Sequence, residues 1–409
     1  MLRLLIVNIL DREEKIMAEW LKTALIDIVE LIGGGTPKTS KAEYWDGNIN
    51  WLSVKDFNNE NRYVYSTEKT ITEEGLNNSS TKLLKKDDII ISARGTVGEL
   101  AMIPFPMAFN QSCYGIRAKE GIDSIFLYYL IKNSVRKLKA ITHGSVFDTI
   151  TRDTFANIEV AIPDIKTQHR IAKMLADIDD KVENNQRINN NLEQQAQAYF
   201  DELFVVNADP NWSECTLSDI GSVVAGGTPS KSKPDYYADQ GIAWITPKDL
   251  SVNKSKFISH GENDISELGF SKSSAAKMPA GTILFSSRAP IGYIAIAQNE
   301  ITTNQGFKSV IPHENISTAY MYFLLKNLLP TIEGMASGST FKEISGTAMK
   351  SVPTVMPDAD TIQLFSSFCE PVFKEQEILE AENQCLSALR DSLLPKLMSG
   401  ELDVSNIDL

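Results

Sequence analysis

Cysteine is scarce in this chain of 409 residues, and the four present, Cys113, Cys215, Cys369 and Cys385, lie far apart with no C-x-x-C spacing. That pattern excludes a disulfide framework and a thiolate zinc site and fits free thiols in a reducing compartment. Histidine is equally sparse, and His143, His169, His260 and His313 show no ligand spacing. No apolar run reaches the roughly 20 residues that would cross a bilayer. The opening Met1 to Leu10 is apolar but leads into Asp11-Arg12-Glu13-Glu14 without a small-residue cleavage site, so a secretory signal is not expected and the expected location is cytoplasmic. GxxxxGK[ST] is absent, and so is any Asn-Pro-Pro-aromatic or Asp-Pro-Pro-aromatic run. The nearest approach to a nuclease motif, Pro163-Asp164-Ile165-Lys166, has no preceding partner acid and reads as a helix cap. Excess positive charge is missing too: the net charge is -13.

What the chain has is itself, twice. Sliding it by 192 to 194 residues puts Trp20 on Trp212, Gly34-Gly35-Thr36-Pro37 on Gly226-Gly227-Thr228-Pro229, Trp51 on Trp244 and Lys55-Asp56 on Lys248-Asp249. Ser92-Ala93-Arg94 then falls on Ser286-Ser287-Arg288, Asn110-Gln111 on Asn304-Gln305, Leu127–Asn133 on Met321–Asn327, and Gly144-Ser145 on Gly338-Ser339. Such a period far exceeds the roughly 20 to 50 residues of a solenoid repeat, so it marks a duplicated domain. The expected organisation is an N-terminal extension over 1–16, a first unit over 17–163, a central helix over 164–211, a second unit over 212–357, and a C-terminal helix and tail over 358–409. The extension is either a segment outside the fold or a packed strand.

Charge divides along those boundaries. Residues 17–163 carry 17 basic and 18 acidic side chains and residues 212–357 carry 12 of each, so both units are nearly neutral. Residues 164–211 have 5 basic against 9 acidic and residues 358–409 have 3 against 11, so the acidity sits in the helical segments. Composition therefore gives little sign of a basic face. If DNA is the ligand, a partner protein must supply much of the phosphate neutralisation.

After Pro163, apolar residues recur at Ile171, Leu175, Ile178 and Val182, then at Ile188, Leu192, Tyr199 and Leu203. These spacings make a heptad seam with a stutter at Asn184-Asn185. A forty-residue helix is about 60 Å long, more than either unit needs for its core, so it reads as a spacer. The second segment offers Phe365, Phe368, Val372, Leu379, Leu386, Leu389, Leu393 and Leu397, with a kink or helix start expected at Pro371 and a boundary near Pro395. Each helix could pack on its own unit, but the expected arrangement is that the two pair as an antiparallel coiled coil about an approximate two-fold axis. Within the units, Asp88–Ser92, Glu99–Ile103, Thr282–Ser286 and Tyr293–Ala297 read as strands, and Ser124–Ala140 and Ser317–Leu329 as amphipathic helices. The predicted class is α+β, with long polar loops at Phe57–Lys82 and Leu250–Lys277 that share little sequence.

The order of these parts resembles the specificity (S) subunits of type I restriction-modification systems. The resemblance covers the chain from Met17. It rests on the Gly33–Pro37 loop with Tyr44-Trp45 and Gly47, its copy at Gly226–Pro229 with Tyr236-Tyr237, and the Ser-x-Arg-x-x-x-Gly turns at Ser92–Gly98 and Ser286–Gly292. It rests also on the paired Asn-Gln, the run from Pro163 through Thr167-Gln168 to Leu175, and the ending Leu393-Leu394-Pro395-Lys396-Leu397-Met398-Ser399-Gly400-Glu401-Leu402. The resemblance implies two target-recognition domains, each reading half of a bipartite DNA site, on helices that act as ruler and docking surface. It also implies a chain with no chemistry or cofactor of its own. Two methyltransferase subunits would bring S-adenosylmethionine, and two restriction subunits would bring ATP and Mg.

If the two units read different half-sites, residues identical in both cannot carry the difference between bases. Arg94 and Arg288, Gln111 and Gln305 with their preceding asparagines, and the Gly-Thr-Pro loops are therefore assigned to folding or phosphate contact; Lys38 and Lys231, beside those loops, are further DNA-binding candidates. Base-edge contacts are expected from the dissimilar loops. The candidates are Lys55, Asn58, Asn59, Asn61, Arg62, Tyr63 and Lys69 in the first, and Lys248, Asn253, Lys254, Lys256 and Lys272 in the second; any of them could instead be a solvated loop residue. The tips carrying Ser145, Ser339 and Lys342 form a second candidate surface. Two rival classes remain at this point: a stand-alone enzyme acting on DNA, and a two-headed scaffold that binds only proteins.

Overall fold

The computed structural model describes residues 20–57, 61–142, 149–338 and 342–404, apart from the side chains of 136–142. The N-terminal extension, Asn58, Asn59, Ser145 and Ser339 lie outside the described residues. The chain divides into two compact units, one made of residues up to 184 together with those from 383 on, the other of 185–382.

In the first unit, strand Leu21–Ala24 pairs antiparallel with Glu159–Ile162, so the chain enters and leaves the head side by side. Between them lies a four-stranded antiparallel sheet in the order Val29–Gly33, Cys113–Ala118, Ile89–Ser92, Leu100–Met102. The run Ile89-Ile90-Ile91 is buried on both faces, which explains its unbroken β-branched sequence. A smaller sheet orders Lys69–Ile71, Trp45–Leu52 and Ala108–Phe109, the last pair parallel. Helix Ser124–Thr142 sets Phe126, Tyr129 and Leu130 into the main core.

The second unit repeats the plan. Ser213–Thr216 pairs with Pro353–Met356. The main sheet runs Gly221–Ala225, Lys308–Pro312, Ile283–Ser287, Ile291–Ala297, with Phe257–Ile258 added in parallel at its edge. In the first unit that added strand is reduced to a single parallel bridge between Tyr63 and Met102. The expected helix Ser317–Leu329 ends at Asn327, because Pro330 opens a separate helix, Leu329–Met335. Both heads are α+β.

The first long helix runs unbroken over Ile165–Asp201 and closes with a π turn, Glu202–Val206. Asp164 caps it, accepting from the Lys166 and Thr167 backbones at 2.9 and 3.2 Å and from the Thr167 hydroxyl at 2.7 Å. The second long helix covers Ala359–Ser399, with Asp358 accepting from Thr361 in the same way. It passes through Pro371 and Pro395, which corrects the expected helix start at the first and boundary at the second. Both prolines are exposed, as are Ser367 and Asp391 four residues back, so the carbonyls they orphan stand on the wet side. Phe365 and Cys369 on one side and Leu394, Leu397 and Met398 on the other bury the adjoining turns. That burial outweighs a cost of about 3 kcal/mol per proline.

Within each unit the two helices run antiparallel. In the second, partners descend from Glu382 at Asn185 to Glu380 at Asn189, Gln376 at Glu193 and Phe365 at Phe200. In the first, Asp179 meets Arg390 at 2.7 Å, and Ile171 and Leu175 share a core with Leu394 and Leu397. The same core contains residues of the head, so helix-on-head and helix-on-helix packing coexist where the sequence posed them as alternatives. The seam is less apolar than expected: Ile188 is exposed, while Asp179, Asn185 and Gln376 are buried.

Candidate nucleic-acid interface

Several of the residues shared by the two copies, the Gly-Thr-Pro loop, the tryptophan, the Lys-Asp and the Asn-Gln pair, converge on one corner of each head. Trp51 Nε1 donates to the Gly35 carbonyl at 3.0 Å, and Trp244 Nε1 to Gly227 at 2.9 Å. Asp56 accepts from the backbone of Ser53 and of Glu68, both at 2.7 Å; Asp249 accepts from Thr246 at 2.7 Å and from Glu262 at 2.8 Å. The asparagine of each Asn-Gln pair stiffens its turn, Asn110 accepting from Ser112 at 3.0 Å and Asn304 from Gly306 at 2.8 Å.

The glycines of the Gly-Thr-Pro loops owe their place to close backbone approach. A Cβ on Gly34 would stand 2.1 Å from the Asn110 carbonyl oxygen, and one on Gly226 would stand 2.0 Å from that of Asn304. Gly35 and Gly227 donate their N–H groups to Phe109 and Thr303 at 2.9 and 2.8 Å, so those donors are spent inside the fold rather than offered to a nucleotide. In the second head this corner opens as a cleft of about 560 Å³, with Thr228, Lys231, Tyr237, Lys248 and Gln305 in its wall. In the first head, the Thr36 hydroxyl donates to the Gln111 side-chain oxygen.

The lysines here are exposed but not all free. Lys55 and Lys248 face Glu68 and Glu262 at 4.0 and 2.5 Å, and the Glu262 contact raises Lys248 above its usual range. Lys38 and Lys231 are exposed. Arg94 is exposed on the turn after Ile89–Ser92, which Ser92 braces by donating to the Thr96 carbonyl and accepting from the Glu99 backbone, at 2.5 and 2.8 Å. Arg288 occupies the matching turn, braced by Ser286, and lies 3.4 Å from Glu343; an antiparallel bridge between these two residues sets Lys342 next in the chain.

Of the loop candidates, Lys69 lies over the Trp45 ring and Lys254 over the Tyr293 ring, at 5.6 and 5.0 Å. Lys272 is exposed, Asn253 accepts from the Ser255 backbone at 3.0 Å, and Tyr63 donates to Asp87 at 3.2 Å. Asn61 is half-buried. Arg62 and Lys256 are not on an accessible surface at all, with 6% and 7% of their surface exposed. Both turn inward to acids on the long helices, which removes them from direct base contact.

The loops share more sequence than the reading of them as dissimilar allowed. Ile71-Thr72-Glu73 with Gly75 and Ser79-Ser80 matches Ile265-Ser266-Glu267 with Gly269 and Ser273-Ser274. The match builds the same short helix twice, capped by Thr72 and by Ser266 at 3.0 Å each. The unlike sequence thereby shrinks to the stretches ending at Glu68 and Glu262. The two partner sets missed by sequence reasoning, Tyr129 with Asp179, Asp180 and Arg390, and Glu193 with Lys326, Gln376 and Glu380, had one available signal: Arg62 and Lys256 stand 194 residues apart, a kept cation in a stretch that otherwise matches little.

A kept corner beside an unlike stretch, made twice on long antiparallel helices, defines a tandem recognition module. The family model for the type I restriction modification DNA specificity domain matches twice, over residues 17–194 and 210–387. The chain belongs to that family. It is 28% identical over 421 residues to the type I restriction enzyme MjaIX specificity subunit of Methanocaldococcus jannaschii, covering 96% of each chain. It is 25% identical over 358 residues to the HindI specificity subunit of Haemophilus influenzae, covering 68% of this chain and 77% of that one. In fold it is similar to the S subunit of a type I restriction-modification system from M. genitalium, with a TM-score of 0.59 at 18% identity over 94% of this chain and 97% of that one. Among the described residues no helix is long and apolar enough to cross a membrane.

Proposed function

We propose that this chain is the DNA sequence-recognition subunit of a type I restriction-modification complex, each head reading one half of a bipartite site. The observation that carries the reading is the division within each head between a corner kept in both copies and a neighbouring stretch that differs. Phosphate geometry is the same along any duplex, so a kept corner suits backbone contact: Arg94 and Gln111 in one head, Arg288 and Gln305 in the other, and Lys55 and Lys248, which fall on one another in the repeat and so suit the backbone better than the base edges first expected of them. The exposed Lys38 and Lys231 flank the same corner. Base edges differ, and the unlike stretches with their flanks suit them, through Asn61 and Lys69 in the first head and Asn253, Lys254 and Lys272 in the second.

The long helices set the gap between half-sites and dock two methyltransferase subunits, with two restriction subunits completing the assembly. Catalysis lies with those partners, which carry S-adenosylmethionine, ATP and Mg; the chain itself is non-catalytic, binds no cofactor and works in the cytoplasm. Part of the helices' acidity is spent inside the fold, where Asp179 and Glu193 are committed to ion pairs. The test is to map methylated adenines in a host that carries the methyltransferase subunit, with and without this chain. Methylation confined to one bipartite motif and dependent on the chain is expected. Methylation or cleavage by the purified chain alone, or methylation indifferent to its presence, would overturn the reading.

A further inference from the structure

Arg62 and Lys256 leave the same place in their heads. The Arg62 carbonyl accepts from the Met102 backbone at 2.8 Å and the Lys256 carbonyl from Ile296 at 2.7 Å, each just before the parallel bridge to the sheet edge. From there Arg62 reaches the first long helix at two points one turn apart. Its guanidinium donates to the Ala176 carbonyl at 3.4 Å and pairs with Asp180 at 2.5 Å, and it also donates to the Tyr129 hydroxyl at 3.3 Å. Tyr129 in turn donates to Asp179 at 2.6 Å, and Asp179 holds Arg390 of the second long helix. Lys256 does the same with different atoms. Its ammonium pairs with Glu193 of the first long helix, donates to Gln376 of the second at 2.6 Å, and lies over the Phe373 ring at 4.1 Å. Glu380 accepts from the backbone of Lys256 and Phe257 at 2.9 and 3.1 Å, tying the strand itself to the helix.

Stability alone does not require this. Burying a cation against a carboxylate, here the exposed Asp180 and the half-buried Glu193, is often no better than apolar residues of the same volume, but it holds one geometry and penalises the alternatives. The paired carboxylate fixes where along the helix the loop can sit, and Arg62, gripping two successive turns, fixes its height and tilt together. Both cations lie inside the stretches in which the heads differ, six residues before Glu68 and Glu262. Resting on the reading of the heads as DNA readers, we infer that Arg62 and Lys256 are positioning residues for base recognition, locking each reader segment to the spacer helices without touching DNA.

The experiment uses the full chain with its methyltransferase subunits and measures methylation across duplexes bearing single-base changes in either half of the mapped site. For Arg62→Met, discrimination against mismatches should fall on the order of tenfold in one half-site and stay unchanged in the other; Lys256→Met should give the reciprocal pattern, and Arg62→Lys should restore part of the loss. Unchanged mismatch profiles in folded Arg62→Met and Lys256→Met complexes would overturn the inference. So would equal loss in both halves accompanied by a fall in melting temperature, the mark of a merely structural role. Should Arg62→Met not fold, Asp180→Asn tests the same contact from the helix side by the same two criteria. A wild-type complex lacking any bipartite preference would instead sink the underlying function, a failure visible before any variant is made.

Discussion

A methyl group added at Gly227 would meet the Ala275 backbone nitrogen at 2.2 Å, and one at Gly35 would meet that of Thr81 at 2.4 Å. Backbone cannot swing aside as a side chain does, so Gly35→Ala and Gly227→Ala should each cost about 1–3 kcal/mol, read as a lower midpoint in denaturant. Gly33, next in line but with nothing within 4 Å of its absent Cβ, should accept alanine with no loss or a gain of up to about 1 kcal/mol. If Gly33→Ala proved as harmful as Gly35→Ala, close approach would not be the reason for the motif. At the ligand side, Arg94→Ala should weaken DNA binding by the complex alike on all sequences and lower the slope of log affinity against log salt by about 1. A change in sequence preference would move Arg94 from backbone contact to base readout. Legibility at this scale was uneven: the kept residues announced themselves by repetition, whereas the inward turn of Arg62 and Lys256 depended on partners more than 60 residues away in sequence.

At the scale of elements, periodicity found both long helices and their antiparallel pairing but misjudged their prolines and their seam. Propensity treats a proline by its local cost, and here the surrounding packing decides. Pro371→Ala should therefore stabilise the chain by about 1–3 kcal/mol, measured as a raised unfolding midpoint, since the exposed ring contributes no packing to offset the lost helix bond. The seam was misread because a heptad count registers apolar residues only, and Asp179, Asn185 and Gln376 took interior positions by hydrogen bonding. Glu193 gives this polarity a pH signature. Burial pushes its carboxyl up, but Lys256 and Lys326 more than reverse that and hold it below its ordinary value of 4.5. A carboxylate depressed on folding stabilises the fold above 4.5 and loses that contribution as pH falls through the lower folded value. Glu193→Gln should thus lower the melting temperature at neutral pH and flatten its decline in acid; an acid limb as steep as wild type would assign that dependence elsewhere.

For the molecule as a whole, the duplication was legible because diverged copies keep order and spacing. Its consequences for unit composition were not, since contact between residues near 175 and near 397 leaves no local trace. The proposed ruler has a numerical consequence: paired seven-residue deletions, one in each long helix, remove about 10 Å of rise and should shorten the preferred gap by about three base pairs. A gap unmoved in the methylome of that variant would show that the helices do not set it. The composition of the first unit has an effect on synthesis as well. Its core waits for Leu394, Leu397 and Met398, whereas 185–382 forms a unit of its own. A ribosome therefore releases every part of the later-encoded unit before it has delivered the last pieces of the earlier one, and a premature stop just past codon 382 would spare the downstream half while crippling the upstream half.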